Sequence, residues 1–329
     1  MASAMEKVNV GLIGAGAMAN GVHYPSLHEF ADVHMAALCD LVPEKRETTA
    51  RRFGIPATYA DYREMVAKED LDAVYILMPP HQLFDIVVYC LRAGLHVFIE
   101  KPPGITAFQT AAMARIAAEH GCLTATGFNR RFIPVLVEAK RRVEAAGRIT
   151  QAVATFYKKT SALYYNGAVD VLTCDAIHAV DALRWLAGGE VVEVASMISR
   201  FDDRVENSWN ALVRFDNGAV GVLLTNWNVG GRLHTFEVHA PGLSALIDPD
   251  ATGFLLQGDR REVLDPVAIA GTRSQYKFYG FYQQARHFID CIKSGRQPAT
   301  HFADAVKTME LADRIRAAAV QQAGSAASH

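Results

Sequence analysis

The spacing of apolar residues divides the chain into two parts. In the first part, short apolar runs occur at 8–13, 34–39, 71–78, 95–99 and 123–127. Segments with apolar residues every three or four positions follow some of these runs, at 81–93 and 107–119. The short runs are typical of buried strands and the longer segments of helices. Such alternation predicts an α/β fold whose doubly wound parallel sheet is covered by helices on both faces.

The pattern changes after residue 127. Strand-like runs then follow one another with few helical segments between them, at 153–158, 191–199, 208–215, 219–227, 233–239 and 243–248. The turn Asp216-Asn217-Gly218 is a strong hairpin signal. Helical periodicity is present at 175–186, 280–293 and 303–319. We therefore predict a first domain over 1–127 and a second α/β domain over 128–329 with a mostly antiparallel sheet.

A tight glycine turn follows the first strand, where residues 8–19 read VNVGLIGAGAMA. Gly14 permits the sharp turn, and Gly16 lets the backbone approach a pyrophosphate. The helix start at Ala17 and Met18 supplies free N–H groups and partial positive charge. This arrangement is typical of a dinucleotide site, although these glycines are also compatible with an ordinary turn.

Asp40 ends the second strand at the distance expected of a carboxylate that binds the adenosine ribose. Its charge repels a 2′-phosphate and therefore favours NAD over NADP. Lys45 and Arg46 lie just beyond it and weaken that preference, so NADP is kept as a second choice. The alternative interpretation is that Asp40 is a turn acid with no ligand.

The polar and proline clusters of the first part all follow predicted strands. Because parallel strands end at one edge of the sheet, these clusters should line the cofactor there. We expect contacts from Leu77, Met78, Pro79, His81, Glu100, Lys101 and Asn129. Glu100 could either hold the ribose or orient Lys101. The contact of His81 is left open.

Two groups are candidates for proton transfer. Lys101 follows a buried strand at the edge where the nicotinamide should lie, and burial beside a cationic ring lowers the pKa of a lysine. His178 lies on one helical face with Asp175 and Asp181, and neighbouring carboxylates fix the tautomer of an imidazole. Local patterns equally fit a solvated lysine, a capping aspartate and a core histidine.

Composition restricts the other classes of protein to which the chain could belong. The 329 residues carry 33 basic and 35 acidic side chains, and no basic run indicates nucleic acid. Residues 1–7 contain no apolar signal core, and no apolar run is long enough for a membrane span. Five scattered cysteines suit a reduced, cytoplasmic protein. The tail 324–329 is expected to be frayed, and no metal-ligand cluster is evident.

Four blocks give the chain a resemblance to a known family. They are GAGAMA at 14–19, EKP at 100–102, GFNRRF at 127–132, and DAIHAVD at 175–181 with LRWL behind it. Together they resemble the glucose–fructose oxidoreductase / inositol dehydrogenase / MocA (Gfo/Idh/MocA) family over nearly the whole chain. One departure is Cys174, since many inositol dehydrogenase-like members carry an aspartate there; Asp175 is the nearest acid.

The resemblance implies a Rossmann domain, then an α/β domain whose large open sheet forms a homodimer or homotetramer. It implies NAD(P)-dependent oxidation or reduction of a sugar, inositol or related polyol. Lys101, often before a cis-proline, and His178 would be the acid–base residues, with Asp175 beside them. Arg130 and Lys158 would meet the substrate. Two other functions stay open: a glycosidase that uses NAD for transient oxidation, and a non-catalytic cofactor-binding sensor.

Overall fold

The structure is a computed structural model that describes residues 7–319. The tail 324–329 and most of the N-terminal segment, about which the sequence made predictions, lie outside the described residues. Clustering of contacts divides the chain into two compact units. The first contains residues up to Pro134 and Ala270–Lys307; the second contains Val135–Ile269 and the residues after Lys307.

The elements up to residue 134 alternate between strands and helices. They are β1 (Val8–Ile13), a π-helical turn (Ala19–His23), α1 (Tyr24–His28), β2 (Val33–Cys39), α2 (Pro43–Phe53), β3 (Ala57–Tyr59), α3 (Tyr62–Lys68), β4 (Ala73–Ile76), α4 (Pro80–Arg92), β5 (His96–Ile99), α5 (Ala107–Glu119), β6 (Thr124–Thr126) and a 3₁₀ turn (Asn129–Phe132).

Strands dominate the segment up to residue 264, and helices follow it. The elements are α6 (Pro134–Ala146), β7 (Gln151–Lys159), β8 (Leu163–Tyr164), a 3₁₀ turn (Tyr165–Gly167), β9 (Val169–Asp170), α7 (Val171–Cys174), α8 (Ile177–Ala187), β10 (Val191–Ser199), β11 (Ser208–Phe215), β12 (Val220–Asn226), β13 (Asn228–Ala240), β14 (Leu243–Ile247), β15 (Gly253–Gln257), β16 (Arg260–Leu264), α9 (Pro266–Ala270), α10 (Gln275–Phe278), α11 (Phe281–Ser294) and α12 (Phe302–Ala317).

The six strands of the first unit form one sheet in the order β3-β2-β1-β4-β5-β6. Each neighbouring pair is parallel. The chain order reverses between β1 and β4, which makes their carboxyl ends the switch point where α/β sheets bind ligands. The predicted doubly wound parallel sheet is confirmed. The sequence analysis did not identify β3 and α3, which are short.

Apolar side chains cover both faces of this sheet. Tyr75 and Phe98 belong to the core on one face, and Ile76 and Val97 to the core on the other. Phe288 of α11 is packed in the first of these cores. The helix at 281–294 therefore belongs to the first unit, whereas the sequence-based division placed all of 128–329 together. Periodicity identifies an apolar helix face but not the core in which it is buried.

The second unit is built on an eight-stranded sheet in the order β10-β11-β12-β7-β13-β14-β15-β16. Its pairs are antiparallel except for β12 with β7, which is parallel. The predicted large, mostly antiparallel sheet is confirmed. Helix α8 packs against β7 and β12 on one face. The sequence analysis did not identify α6, β15 and β16.

A buried ion cluster ties α11 to the start of β2. The Asp32 carboxylate accepts hydrogen bonds from Arg286 at 2.7 and 3.1 Å and from Lys293 at 2.8 Å. The hydrogen bond from Arg286 is the main reason that the pKa of Asp32 is lowered from 3.8 to about 2. Its stabilising contribution is therefore complete above about pH 4 and disappears as the pH falls towards 2.

We expect Asp32→Asn to lower the free energy of unfolding by about 2 kcal/mol at pH 7, and by about half as much at pH 3. Urea titrations at both pH values measure this difference. Asp290→Asn is the matched control, because the exposed Asp290 contacts the same arginine at 2.9 Å. An equal loss at both pH values would show that the charge of Asp32 is not what stabilises the unit.

Candidate functional site

The glycine turn after β1 has the geometry of a phosphate cradle. Gly14 has a φ of +101°, and a Cβ atom there would lie 2.6 Å from the carbonyl oxygen of Leu77. A Cβ atom on Gly16 would meet nothing within 4 Å. Met18 is 45% exposed at the following helix start, and Ala17 is also exposed. The turn is therefore tight on the side of β4 and open where a pyrophosphate would lie.

Asn20, which the sequence analysis did not single out, holds this turn. Its side-chain amide donates to the carbonyl oxygens of Ala15 and Gly16 at 3.0 and 3.2 Å, and its oxygen accepts from Thr49 at 3.1 Å. The only sequence signal is a polar residue one turn into the predicted helix. These contacts fix the backbone of the turn next to the helix start, where the first N–H groups of a helix lack intrahelical partners.

Asp40 lies at the carboxyl end of β2 beside the cradle. Its carboxylate accepts from the backbone N–H of Ala15 at 2.7 Å and from that of Val42 at 2.8 Å. Arg46 donates to the Asp40 carbonyl oxygen at 2.8 Å. The acid is thus fixed next to the glycine turn, as a ribose-binding carboxylate would be.

The residues after β4 lie at the same edge. The N–H of Leu77 continues the ladder to Ile13 at 2.8 Å. Leu77, Met78 and Pro79 are half-buried and His81 is exposed on the first turn of α4. The structure therefore brings these predicted cofactor residues to the switch point, next to Gly14.

Glu100 and Lys101 follow β5 at this edge, and the Lys101–Pro102 peptide bond is cis. Lys101 is half-buried, whereas Glu100 is buried. One Glu100 oxygen lies 2.6 Å from Nε2 of His23 and the other accepts the Lys101 N–H at 2.9 Å. Burial opposes ionisation, but the His23 hydrogen bond and the Lys101 charge lower the pKa of Glu100 overall. His23 was missed, because nothing in the sequence connects it with Glu100.

Asn129 and Arg130 lie deeper than expected. Asn129 is fully buried, and its amide donates to the Tyr279 carbonyl at 2.8 Å while accepting from Arg130 at 2.6 Å. Arg130 is 7% exposed, with its guanidinium 5.0 Å from the centre of the Tyr279 ring. Asn129 is thereby part of the scaffold, and its predicted contact with the cofactor stays a prediction. The predicted contact of Arg130 with substrate stays a prediction.

In the second unit, Lys158, Tyr164 and Asp175 form one polar cluster. Lys158 of β7 forms an ion pair with the Asp175 carboxylate, which also accepts from the Tyr164 hydroxyl at 3.2 Å. Burial and then the charge of Asp175 raise the pKa of Tyr164, so this hydroxyl stays a donor. Lys158 and Tyr164 therefore both hold the carboxylate of Asp175, which is 7% exposed.

His178 lies in the first turn of α8, and its N–H donates to the Asp175 carbonyl at 3.2 Å. Asp175 precedes this helix, whereas the sequence predicted that the helix starts there, and Asp170 caps α7 instead. Asp181 is fully buried and accepts from Thr308 at 2.9 Å. Asp181 is therefore a core residue, and the predicted common face of Asp175, His178 and Asp181 stays a prediction.

Residues 7–319 contain no group of three or more His, Cys, Asp or Glu side chains placed to bind a metal. Within the same residues, no helix combines the length and apolar character that a bilayer span requires. The five cysteines are free and buried.

Two family models match the chain. Residues 8–128 match the oxidoreductase family with an NAD-binding Rossmann fold, and residues 137–241 match the GFO/IDH/MocA C-terminal domain. The chain belongs to the GFO/IDH/MocA oxidoreductase family. This confirms the family resemblance, the Rossmann fold and NAD as the cofactor of the family. The cradle fits that cofactor, because open space at Gly16 adjoins the helix start and Asp40.

Two relatives are about a quarter identical to the chain over the residues that align. Levoglucosan dehydrogenase of Pseudarthrobacter phenanthrenivorans is 27% identical over 283 residues, covering 71% of this chain and 72% of that protein. The scyllo-inositol 2-dehydrogenase (NAD⁺) of Bacillus subtilis is 24% identical over 293 residues, covering 83% and 82%. Both relatives are dehydrogenases by name.

A solved structure extends the likeness to the whole fold. Levoglucosan dehydrogenase in complex with NADH and levoglucosan superimposes with a TM-score of 0.82 at 25% identity. The match covers 95% of this chain and 97% of that one. The fold and family are therefore shown, and the roles of individual residues follow as proposals.

Proposed function

We propose that this protein is an NAD-dependent dehydrogenase of a secondary alcohol on a sugar, an inositol or a related polyol. One observation carries the proposal. Lys101 is held at the carboxyl end of β5 in the same sheet edge as the glycine cradle and Asp40, through the contact of its N–H with Glu100. The named activities of the relatives and the NADH complex of levoglucosan dehydrogenase support the same class.

The first unit would hold the cofactor. Gly16, Ala17 and Met18 would face the pyrophosphate and Asp40 the adenosine ribose. Leu77, Met78, Pro79 and His81 would line the edge that leads to Lys101. Glu100 has both oxygens engaged within the protein, so we assign it to the orientation of Lys101 and not to the ribose. The bound nicotinamide supplies the hydride acceptor or donor.

Side chains of the protein would transfer the proton of the substrate hydroxyl. The Nζ of Lys101 and the imidazole of His178 are the proposed acid–base groups. The Asp175 carboxylate, fixed by Lys158 and Tyr164, would accept a hydrogen bond from a substrate hydroxyl, while Lys158 would donate to another. A polyol offers both kinds of partner on neighbouring carbons. This pairing favours a polyhydroxylated substrate over a simple alcohol.

The direct test is NADH formation, followed at 340 nm with NAD⁺ and separate sugars, inositols and their ketones in both directions. We expect turnover with at least one polyol and none with simple secondary alcohols. Cleavage of an aryl glycoside without net NADH would instead indicate the NAD-dependent glycosidase. No change in cofactor redox state across the panel would indicate the sensor.

Asp40→Ala should raise the Kd for NADH about 10- to 100-fold, because it removes charged hydrogen-bond acceptors at the ribose. The Kd for NADPH should change less, since the repulsion of a 2′-phosphate is also lost. Fluorescence titration with both reduced cofactors measures the ratio, which separates the charge effect from loosening of the turn at Ala15. Asp70→Ala, an exposed acid elsewhere in the unit, is the control. An unchanged ratio would remove Asp40 from the ribose site.

We also propose that the open face of the large sheet joins copies of the chain into a homodimer or homotetramer. Successive strands place one row of residues in register, and these are Leu212, Val222, Val153, Glu237, Leu246, Phe254 and Val263. Residues in register share a sheet face. Leu212 is 56% exposed and Val263 is 61% exposed, so the row presents apolar surface.

Leu212→Glu should convert the oligomer to a smaller species, because a carboxylate in this row would be buried in the interface. Light scattering coupled to size exclusion gives the mass of each species. Phe108→Glu is the control, since Phe108 is 81% exposed in the first unit. A wild-type chain that is already monomeric at micromolar concentration would refute the proposed assembly.

A further inference from the structure

We infer that His23 is a positioning residue: together with Glu100 it forms a buried hydrogen-bonded pair that holds the backbone of Lys101 and places a negative charge beside its side chain. The inference rests on the proposed function for the chemical role of Lys101. It adds a residue that neither the family models nor the relatives' names assign, and it gives Glu100 a role different from cofactor binding.

The first support is the local backbone. His23 is the last residue of the π-helical turn Ala19–His23 that follows the glycine turn. Such turns insert one residue into a helix, redirect the side chains that follow, and are frequent at functional sites. Here the turn directs an imidazole that is 1% exposed onto the carboxylate of Glu100, with Nε2 2.6 Å from Oε1.

The surroundings of His23 are aromatic. Its ring centre lies 5.3 Å from that of Phe98, 5.6 Å from that of Phe281 and 6.3 Å from that of Tyr75. Among residues 7–319, Nδ1 of His23 has no hydrogen-bond partner. The imidazole therefore has one polar contact in an apolar pocket, and that contact is Glu100. Because Glu100 directly precedes Lys101, His23 is placed to influence the proposed catalytic lysine through Glu100.

The environment of Glu100 leaves its carboxylate little freedom. Oε2 accepts the Lys101 N–H at 2.9 Å, and a Cβ atom on Gly127 would lie 3.1 Å from Cδ and Oε2. The absence of a side chain on Gly127 is what lets β6 pack against this carboxylate. The titratable groups that face Glu100 are His23 and Lys101, and they lower the pKa of Glu100 against the effect of burial, so that the carboxylate form is favoured.

Two consequences follow for Lys101. Its backbone N–H is anchored, so the start of its side chain is fixed relative to the sheet edge. Its ammonium also lies in the field of a carboxylate that burial keeps from being screened by water. A carboxylate deprived of its donor in an apolar pocket takes up a proton or moves towards solvent, and either change loosens Lys101 and removes the charge.

The test compares His23→Gln, His23→Phe and Glu100→Gln. Glutamine keeps an N–H donor, whereas phenylalanine fills the pocket without one. The first readout is acylation of Lys101 by acetic anhydride at pH 8, quantified by mass spectrometry relative to the exposed Lys68. We expect the Lys101/Lys68 ratio to rise about threefold or more in His23→Phe and Glu100→Gln, and less than twofold in His23→Gln.

The second readout compares the change in kcat with the change in the Kd for NADH. His23→Phe should lower kcat about 10- to 100-fold, because misplacement of an acid–base group affects the chemical step. The Kd for NADH should stay within about threefold, and His23→Gln should recover most of kcat. His34→Phe, an exposed histidine on β2, is the control and should change neither readout.

The outcomes separate the two proposals. An unchanged labelling ratio in both His23→Phe and Glu100→Gln would overturn the positioning role, whatever the activity. The expected labelling with no turnover of any polyol by the wild type would support the pair and overturn the proposed function. Because Glu100→Gln conserves shape, it gives the labelling result even where His23→Phe does not fold.

Discussion

Lys101→Met should lower kcat by about 10²- to 10⁴-fold while the Kd for NADH changes less than about threefold. Methionine keeps the length and apolar stem of the side chain but removes the amine, so only proton transfer is lost. The backbone N–H of residue 101 remains, and with it the anchor to Glu100. The measurement pairs NADH production at saturating polyol with fluorescence titration of NADH.

The specificity of this result depends on its control. Lys68→Met removes an amine from α3, where Lys68 pairs with Glu64 in an exposed salt bridge at 2.6 Å. Such pairs contribute little, so neither constant should change. If Lys101→Met weakened NADH binding as much as it lowered turnover, Lys101 would be a cofactor anchor and not an acid–base group.

Gly14→Ala should lower stability, whereas Gly16→Ala should weaken cofactor binding, although the two positions lie two residues apart. At Gly14 the φ of +101° strains any other residue, and the new methyl group would collide with the Leu77 carbonyl 2.6 Å away. We expect a loss of about 2–4 kcal/mol in the free energy of unfolding. Thermal and urea unfolding without cofactor measure this loss.

At Gly16 the added methyl group enters open space, so stability without cofactor should change by less than about 1 kcal/mol. The same methyl group would occupy the place proposed for the pyrophosphate and should weaken NADH binding about tenfold or more. Each variant is the control for the other. Tight NADH binding by Gly16→Ala would mean that the cofactor does not approach this backbone.

Much of the fold was predictable because periodicity reports burial directly. The strands around Val10, Val74 and Phe98 are short apolar runs that are buried on both faces, as expected in a parallel sheet. Strands β11 to β14 alternate between buried and more exposed positions, as expected where one sheet face is open. Among the elements that were missed, β3 is short and β16 is largely exposed, so both carry little periodic signal.

The sheet edge at which the candidate site residues lie was predictable. The glycine turn, Asp40 and Lys101 each adjoin a strand end, and parallel topology brings strand ends to one edge. Asn129 also follows a strand, yet it is buried in hydrogen bonds to Tyr279 and Arg130. Position at a strand end therefore identifies the edge, but not which side chains face a ligand.

By itself, the sequence determined the two-part α/β architecture, the dinucleotide turn and the family, because these depend on local spacing and on motifs. The tertiary structure alone decided that α11 packs in the first unit, that Asp175 binds Lys158 and Tyr164, and that His23 lies against Glu100. These contacts join residues that are distant in the chain or depend on an irregular turn. Their free energies come from burial and hydrogen bonding across elements, for which periodicity carries no information.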